Sequence, residues 1–335
     1  MDKKSSYIES TISKQDLTFE VPLRPQGLQD FLGQNTICDR LDVLIGAAKQ
    51  REEPLSHCLF SGPPGLGKTT LANILSKSMG TNLVVSSGPA IEKAGDLAGI
   101  LTSLKLGDVF FIDEIHRLNR SVEEYLYQAM EDFTLDLMID SGPNARSVQV
   151  QLNKFTLAGA TTRLGLLSEP LRTRFGFTCR LDYYDIQTLV KILQRTARIL
   201  NITLDDNSAA LIAKRARGTP RVANHLLRWV RDYSQMRANY QINVQVVVQA
   251  LNMLAIDEMG LDEMDIKLLK VMINHYQGGP VGLNTIATSI GEEPSTIEEV
   301  HEPYLIMQGL IDRTPRGRKV TPLGYQHIEK HQYIS

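Results

Sequence analysis

Two short stretches hold residues that can do chemistry on a phosphate. The first, GPPGLGKTT from Gly62 to Thr70, follows the apolar run His57 to Phe60 and precedes Leu71, Ile74, Leu75 and Met79 at helical spacing. Gly62, Gly67, Lys68 and Thr69 fill the pattern G-x-x-x-x-G-K-[ST] in the strand-loop-helix setting that gives the pattern its meaning. Glycines let backbone N–H groups turn inward around phosphate oxygens, and the helix N-terminus behind them adds partial positive charge. Lys68 then reaches the β- and γ-phosphates of a bound ATP, and the Thr69 hydroxyl is placed to ligate Mg²⁺.

The second stretch is FIDEIHRL. Phe110, Phe111 and Ile112 run straight into two carboxylates, Asp113 and Glu114, about 45 residues beyond the glycine loop. Burying unpaired carboxylates costs several kcal/mol each, so they need a partner or a task. A buried parallel strand ending in Asp113 puts that carboxylate beside the metal, and Glu114 can orient and polarise the attacking water. The plainer reading is an acidic pair opening a helix, where acids are favourable in themselves.

The elements that must position these groups read as an α/β domain with a parallel sheet. FTLAGATTR is another apolar strand, ending in Thr161 and Thr162; it offers either a hydroxyl to the γ-phosphate or only a threonine cap. PLRTRFG sets Arg172, Arg174 and Phe175 after a proline turn. ARGTPRVANHLLRWV places Arg221 in the first turn of a helix, where a cation is electrostatically misplaced unless an anion lies opposite. Between two central strands, LDLMIDSGPNARSVQVQL alternates Leu135, Leu137 and Ile139, breaks at Ser-Gly-Pro-Asn, and alternates Val148, Val150 and Leu152. That is a hairpin, and as an interruption of the sheet it either protrudes toward a protein partner or folds flat on its own domain.

The C-terminal segment reads as a winged helix: amphipathic MDIKLLKVMINHY, a helix pair in LNTIATSIG and PSTIEEVHEPYLIMQGLI, and a turn between short strands in RTPRGRKVTPLG. Glu298, Glu299 and Glu302 argue against putting the second helix of that pair into a DNA groove. Duplex DNA contact therefore falls to the basic turn, with Arg313 and Arg318 on phosphates and Arg316 assisting, unless the turn is merely solvated.

Composition sets the limits. The chain has 335 residues, 42% hydrophobic and 22% charged, with a net charge of −2. That suits two or three soluble domains and argues against wholesale coating of nucleic acid. Charge is local: Asp185 to Tyr240 has ten Lys/Arg against four Asp/Glu, and Asp257 to Glu302 has ten acids against two lysines. No apolar run approaches a membrane span, and the N-terminal sequence lacks a signal-like core. Cys38, Cys58 and Cys179 are too few for a disulfide framework or a zinc site, so the cytoplasm is the expected compartment.

GPPGLGKTT, FIDEIHRL, GATTR, PLRTRFG and RGTPRVAN occur in the order and at the spacing of the RuvB family, hexameric AAA+ motors of Holliday-junction branch migration. LRPQGLQDFLGQ and RTPRGR extend the resemblance over essentially the whole chain. The first two motifs alone would say only AAA+ ATPase; the arginine-rich ones are more specific. The resemblance implies a P-loop domain over residues 1–184, a small α-helical lid over 185–255 and a C-terminal winged-helix domain over 256–335. It makes Thr162 the first sensor, Arg174 the finger that reaches the neighbouring subunit's nucleotide, and Arg221 the second sensor. Leu23, Arg24 and Tyr184 fall around the adenine, although Tyr184 serves equally well as a packing residue. Gly65, Thr70 and the run Glu131, Asp132, Phe133 are carried over as nucleotide-side positions. The implied partners are Holliday junctions, a RuvA-like junction-binding protein engaged by the hairpin, a RuvC-like resolvase and five further copies of the chain. Clamp loaders and replication initiators share the first two domains but would replace RTPRGR and the long hairpin. A winged-helix switch that binds ATP without turning it over is the non-motor alternative.

Overall fold

Short apolar runs bounded by turn residues become buried central strands, and periodic runs become the helices that cover them. The computed structural model describes residues 8, 11, 17–138 and 147–332, which fall into two compact units. Leu23–Tyr183 forms one; Met1–Pro22 with Tyr184–Ser335 forms the other. A short helix, α1 (Leu17–Leu23), runs across the first of these boundaries.

The unit from Leu23 to Tyr183 opens with α2 (Asn35–Arg51), followed by β1 (Cys58–Ser61) and α3 (Lys68–Met79). Next come β2 (Leu83–Ser87), α4 (Ala94–Ser103), β3 (Val109–Asp113) and α5 (Arg120–Glu131). The hairpin strands β4 (Thr134–Met138) and β5 (Ser147–Gln151) precede β6 (Thr156–Thr161), α6 (Glu169–Thr173) and β7 (Phe177–Arg180). Five strands form one parallel sheet in the order β2-β3-β6-β1-β7. The crossover from β1 over β2 and β3 back to β6 leaves the carboxyl ends of β3, β6 and β1 side by side, the crevice where open α/β sheets bind ligands. Helix α5 buries Val122, Leu126, Ala129 and Met130, one apolar stripe, against a core that includes Phe110, Ile112, Phe155 and Leu157.

The hairpin pairs in register, Leu135 opposite Val150 and Leu137 opposite Val148. Its base belongs to the domain core through Leu135 and Leu152, while Val148, farther out, is exposed. Ile139 and the Ser-Gly-Pro-Asn break lie outside the described residues.

In the other unit, α7 (Ile186–Ile199), α8 (Asp206–Arg215), α9 (Pro220–Arg237) and α10 (Val244–Met253) pack as a small helical bundle. Asp185, Asp205 and Asn243 start three of them by accepting bonds from Thr188, Ser208 and Val246 N–H groups, which satisfies otherwise orphaned donors. Then α11 (Glu263–Tyr276) and α12 (Leu283–Ile290) lead to a third helical run in three parts: α13 (Pro294–Thr296), a π turn (Ile297–His301) and α14 (Glu302–Met307). The sequence pattern predicts one unbroken helix here. Pro303 has no N–H and its ring crowds the carbonyl four residues back, so the wider turn falls just before it. The hairpin of β8 (Ile311–Thr314) and β9 (Gly317–Val320) and the closing α15 (Pro322–Gln332) complete a winged helix. Its core includes Leu268, Ile286, Tyr304, Leu305 and Ile328. No helix among the described residues is long and apolar enough to cross a membrane.

Candidate nucleotide site and DNA-facing surface

Ser61 ends β1 beside Thr161 of β6, and the Gly62 N–H donates to the Thr161 carbonyl at 3.1 Å, so the loop starts at the lip of the sheet. Gly62 has φ +135°, and a Cβ there would lie 2.4 Å from the Leu181 carbonyl oxygen. Gly67 has φ +105°, with the Phe31 ring 2.9 Å from where its Cβ would be. Both positions exclude side chains by conformation and by contact. Lys68, buried at the start of α3, donates to the Gly62 and Pro63 carbonyls at 2.8 Å each. Its ammonium thus lies along the loop, where phosphate oxygens can take over those bonds. Thr69 and Gly65 are half-buried around it, and Thr70 is buried on the first turn of α3.

Across the lip, Asp113 ends β3 and accepts the Glu114 N–H at 2.9 Å. Glu114 sits at φ 48°, in the left-handed region that non-glycine residues seldom occupy, which breaks the strand at the point where the carboxylate is needed. Its Oε2 accepts from Arg117 at 2.8 Å, and both side chains are exposed enough for that pair to exchange readily. His116 Nδ1 lies 2.9 Å from Thr161 Oγ1, which also accepts the Arg163 N–H. Burial lowers the His116 pKa below its ordinary value, favouring the neutral ring. Next along the chain, the Thr162 hydroxyl is buried and has no hydrogen-bond partner. A buried hydroxyl without a partner is costly. One at the end of β6, level with the glycine loop and the Asp113–Glu114 step, fits a ligand oxygen. Thr69, Asp113 and a phosphate chain together supply the hard oxygen donors that Mg²⁺ prefers.

The structure places Arg174 and the Glu131–Phe133 run together, away from the glycine loop. Phe133 packs on His57 and Phe155 at the start of β1 and β6, the opposite end of the sheet from Thr161. His57 accepts the Leu157 N–H through Nδ1, leaving Nε2 to donate to the Met130 carbonyl at 3.0 Å. The end of α5 is therefore anchored to the sheet. Arg174 Nη2 reaches Glu131 at 3.1 Å, Nη1 donates to the Pro170 carbonyl at 2.7 Å, and the guanidinium lies 4.7 Å from the Tyr127 ring centre. Its Nε is buried with no partner. Asp132 is exposed beside Glu131.

In the other unit, Tyr184 is buried and its N–H donates to the Gly218 carbonyl at 2.8 Å. Arg221, in the first turn of α9, meets an anion from its own chain, Glu20 of α1, at 3.2 Å. Leu23 is buried and Arg24 half-buried at the start of the sheet-bearing unit.

On the winged helix, the three arginines of the turn differ. Arg318 binds Glu302 Oε2 through Nε and Nη2 at 3.0 and 2.9 Å, and its side chain is 12% exposed. Arg313 reaches Glu298 at 3.2 Å and Glu302 at 3.7 Å while remaining 58% exposed. Arg316 stands exposed at the tip. Of the three glutamates that count against the third helical run, Glu302 is buried and, like Glu298, already paired with arginine, so these two present no bare negative charge, while Glu299 is half-buried.

Comparison with known proteins agrees along the chain. Residues 23–181 match the family model described as the Holliday junction DNA helicase RuvB P-loop domain, 184–257 the RuvB AAA lid domain, and 258–329 the RuvB C-terminal winged helix domain. A "Holliday junction branch migration complex subunit RuvB" of Protochlamydia amoebophila (strain UWE25) is 75% identical over 323 residues, 96% of this chain and 97% of the relative. The chain belongs to the RuvB family. Its counterpart in Chlamydia pneumoniae is 57% identical over 95% of this chain and 94% of its own length. The solved Thermotoga maritima RuvB Holliday junction branch migration motor is 49% identical with a TM-score of 0.84, covering 92% of this chain and 98% of that one.

The residues that hold Arg174 in place lie outside the motifs of the RuvB family. Tyr127 donates to Glu123 at 2.7 Å, Ser168 donates to the same carboxylate oxygen at 2.6 Å, and Ser168 also caps α6, which leads to Arg174. The one sequence signal was the spacing of Glu123, Tyr127 and Glu131, four apart on one face of α5.

Proposed function

We infer that this chain is the ATP-hydrolysing motor of Holliday-junction branch migration, a DNA-translocating enzyme of recombination and repair. The observation that carries the inference is the alignment, at one lip of the sheet, of Lys68 on its loop, the Asp113–Glu114 step and the partnerless Thr162 hydroxyl. Lys68 and the loop N–H groups bind the phosphates, with Gly65, Gly67 and Thr70 shaping the loop around them. Thr69 and Asp113 would hold Mg²⁺, which when bound neutralises phosphate charge. Glu114 orients the attacking water and takes its proton, and Thr162 donates to the γ-phosphate side. Leu23, Arg24 and Tyr184 take the adenine, and Arg221 exchanges Glu20 for the γ-phosphate.

Arg174 acts in trans, with Glu131, Asp132 and Phe133 on the same face toward the next subunit's nucleotide, in a homohexameric ring. The working parts are an ATPase domain over 1–184, a lid over 185–255 and a DNA-facing head over 256–335. Arg313, Arg316 and Arg318 provide backbone contact to duplex DNA, which suits a motor that must pass any sequence. The hairpin docks a RuvA-like junction-binding protein, a RuvC-like resolvase is a further partner, and the compartment is the cytoplasm.

The deciding experiment is ATP-dependent movement of a synthetic four-way junction by the purified chain, with and without a RuvA-like partner. Movement that needs both ATP and Glu114 is the expected result. Rings that hydrolyse ATP but never move junctions, even with the partner, would instead favour a loader-type machine.

A further inference from the structure

Between the helical bundle and the winged helix, the chain from Asp257 to Asp262 is bonded at nearly every step, unlike an ordinary interdomain linker. Asp257 accepts the Met259 and Leu261 N–H groups at 2.8 and 2.9 Å through Oδ1, and His327 of α15 lies 2.8 Å from its Oδ2. Arg215, at the end of α8, donates to the Asp257 carbonyl at 2.9 Å. Gly260, with φ +77°, lies so close that a Cβ would meet the Arg215 carbonyl oxygen at 2.9 Å.

At the centre of this joint is Arg217. Its Nε donates to the Gly260 carbonyl at 2.9 Å, Nη2 donates to Asp265 and lies 3.5 Å from Asp262, and the guanidinium is 5.0 Å from the Tyr304 ring centre. Asp265 in turn meets His301 Nδ1 at 2.7 Å, and Tyr304 donates to the Met259 carbonyl. One side chain from the bundle thus gathers α11, the π turn and α14. Asp262, Asp265 and His301 also have the donor types of a metal site, but the Arg217 guanidinium already supplies the cation.

The same loop fixes Arg221. Arg217 and Gly218 are both left-handed, at φ 54° and 67°, and the turn closes with Thr219 N–H to the Ala216 carbonyl at 3.0 Å. Only three residues separate Arg217 from Arg221, and the last of them, Pro220, starts the helix, so little slack remains.

We propose that Arg217 is the positioning residue that makes the bundle and the winged helix one rigid body, so that a displacement of Arg221 reaches the DNA-facing turn undiminished. The proposal rests on Arg221 sensing nucleotide. Arg217 is buried within the joint and acts through it.

Two measurements test it, both on the full chain. In the first, spin labels at Met236→Cys on α9 and Leu323→Cys on α15, with Cys38→Ser, report the distance across the joint. Both sites are exposed, and Cys58 and Cys179 are buried. That distance is expected to stay constant between ATP-analogue and ADP states. A change of more than about 5 Å, one helical turn, overturns the proposal. In the second, Arg217→Lys keeps the charge but loses the fork that spans Gly260, Asp262 and Asp265. Hydrolysis is expected within roughly twofold of wild type, while junction movement per ATP falls by roughly tenfold. An unchanged ratio in a folded Arg217→Lys chain overturns the proposal, and should that variant not fold, the distance measurement decides alone. Arg221→Ala run alongside separates the two levels: wild-type hydrolysis there removes the sensor assignment itself, whereas lost hydrolysis with an unchanged Arg217→Lys ratio removes only the joint.

Discussion

Two arginine–carboxylate contacts in this chain have the same chemistry and opposite settings. Arg174 meets Glu131 at 3.1 Å with the two side chains 23% and 55% exposed. Arg217 meets Asp262 and Asp265 with all three side chains at 2% exposure or less. A solvent-screened pair is worth about 0–1 kcal/mol and can be given up when a better anion arrives, whereas removing one partner of a buried pair costs about 3–5 kcal/mol. A motor needs looseness at one of these places and stiffness at the other. The cation proposed to act on chemistry is parked on an exchangeable carboxylate, and the cation proposed to transmit force is locked.

Removing each arginine in turn and measuring activity beside stability should separate the two roles. Arg174→Ala should lower ATP hydrolysis by about 10³–10⁵-fold, the scale of an arginine finger, while its stability cost, from the Glu131 pair, the Pro170 carbonyl bond and the Tyr127 ring contact, should stay at about 1–2 kcal/mol, below that of Arg217→Ala. Mixing Arg174→Ala chains with Lys68→Ala chains should restore part of the rate, because each mutant completes a different interface. Steady-state phosphate release against mixing ratio checks this, and no rescue at any ratio would count against action in trans.

Arg217→Ala should show the reverse pattern. Its stability cost should be about 3–5 kcal/mol, felt first in α11 and the π turn, because Asp262 and Asp265 would be left buried without their cation. Hydrogen exchange resolved by segment measures it. Protection lost evenly along the chain, rather than around the joint, would show that Arg217 has no local role.

A smaller effect follows from His301, which closes the charge balance of that cluster. Burial opposes its protonation, but Asp265 and Asp262 outweigh burial and Arg217 and raise its pKa above the ordinary 6.5. Burial likewise opposes the ionisation of Asp265, yet Arg217 and His301 hold its pKa down at about 2. A raised histidine contributes stability that is fully present below pH 6.5 and is lost as pH rises through its folded value; Asp265 stays ionised throughout that range. Stability should therefore fall on the alkaline side by at most about 1.4 kcal/mol per unit of pKa shift. Denaturant melts from about pH 6 to about pH 9 should show this slope in the wild type and not in His301→Gln. Identical profiles would remove His301 from the balance.

How much of this was legible in the sequence depends on range. The glycine loop reads directly because its chemistry is contiguous: Gly62 to Thr69 must be adjacent in the chain to wrap one phosphate group. The strand ending in Asp113 reads because an apolar run meeting two acids is a local conflict that needs an explanation. Winged-helix periodicity was also plain, apart from the π turn before Pro303. Partners set by tertiary packing were not legible. Arg217 finds Asp265 across 48 residues and Arg174 finds Glu131 across 43, and no periodicity spans such gaps. The same limit misled the charge reading of the winged helix, where a count of glutamates along one helix cannot show that Arg313 and Arg318, from the neighbouring hairpin, already pair with two of them.

That last point yields the most discriminating effect, because the comparison of exchangeable and locked arginines recurs inside the turn itself. Arg316 stands exposed at the tip, so Arg316→Ala should weaken duplex binding evenly across sequences, reduce the salt slope by about one unit and leave stability within about 0.5 kcal/mol. Arg318→Ala should instead destabilise the winged helix by about 1–3 kcal/mol, since Glu302 loses its two closest bonds while buried. Its direct effect on the salt slope should be smaller than that of Arg316→Ala, because most of its guanidinium is already committed to Glu302. Binding titrations at several salt concentrations, paired with melts of each variant, separate the two. Equal loss of salt slope in both variants would mean that Arg318 leaves Glu302 for a phosphate when DNA arrives, and that this pair belongs with the exchangeable ones.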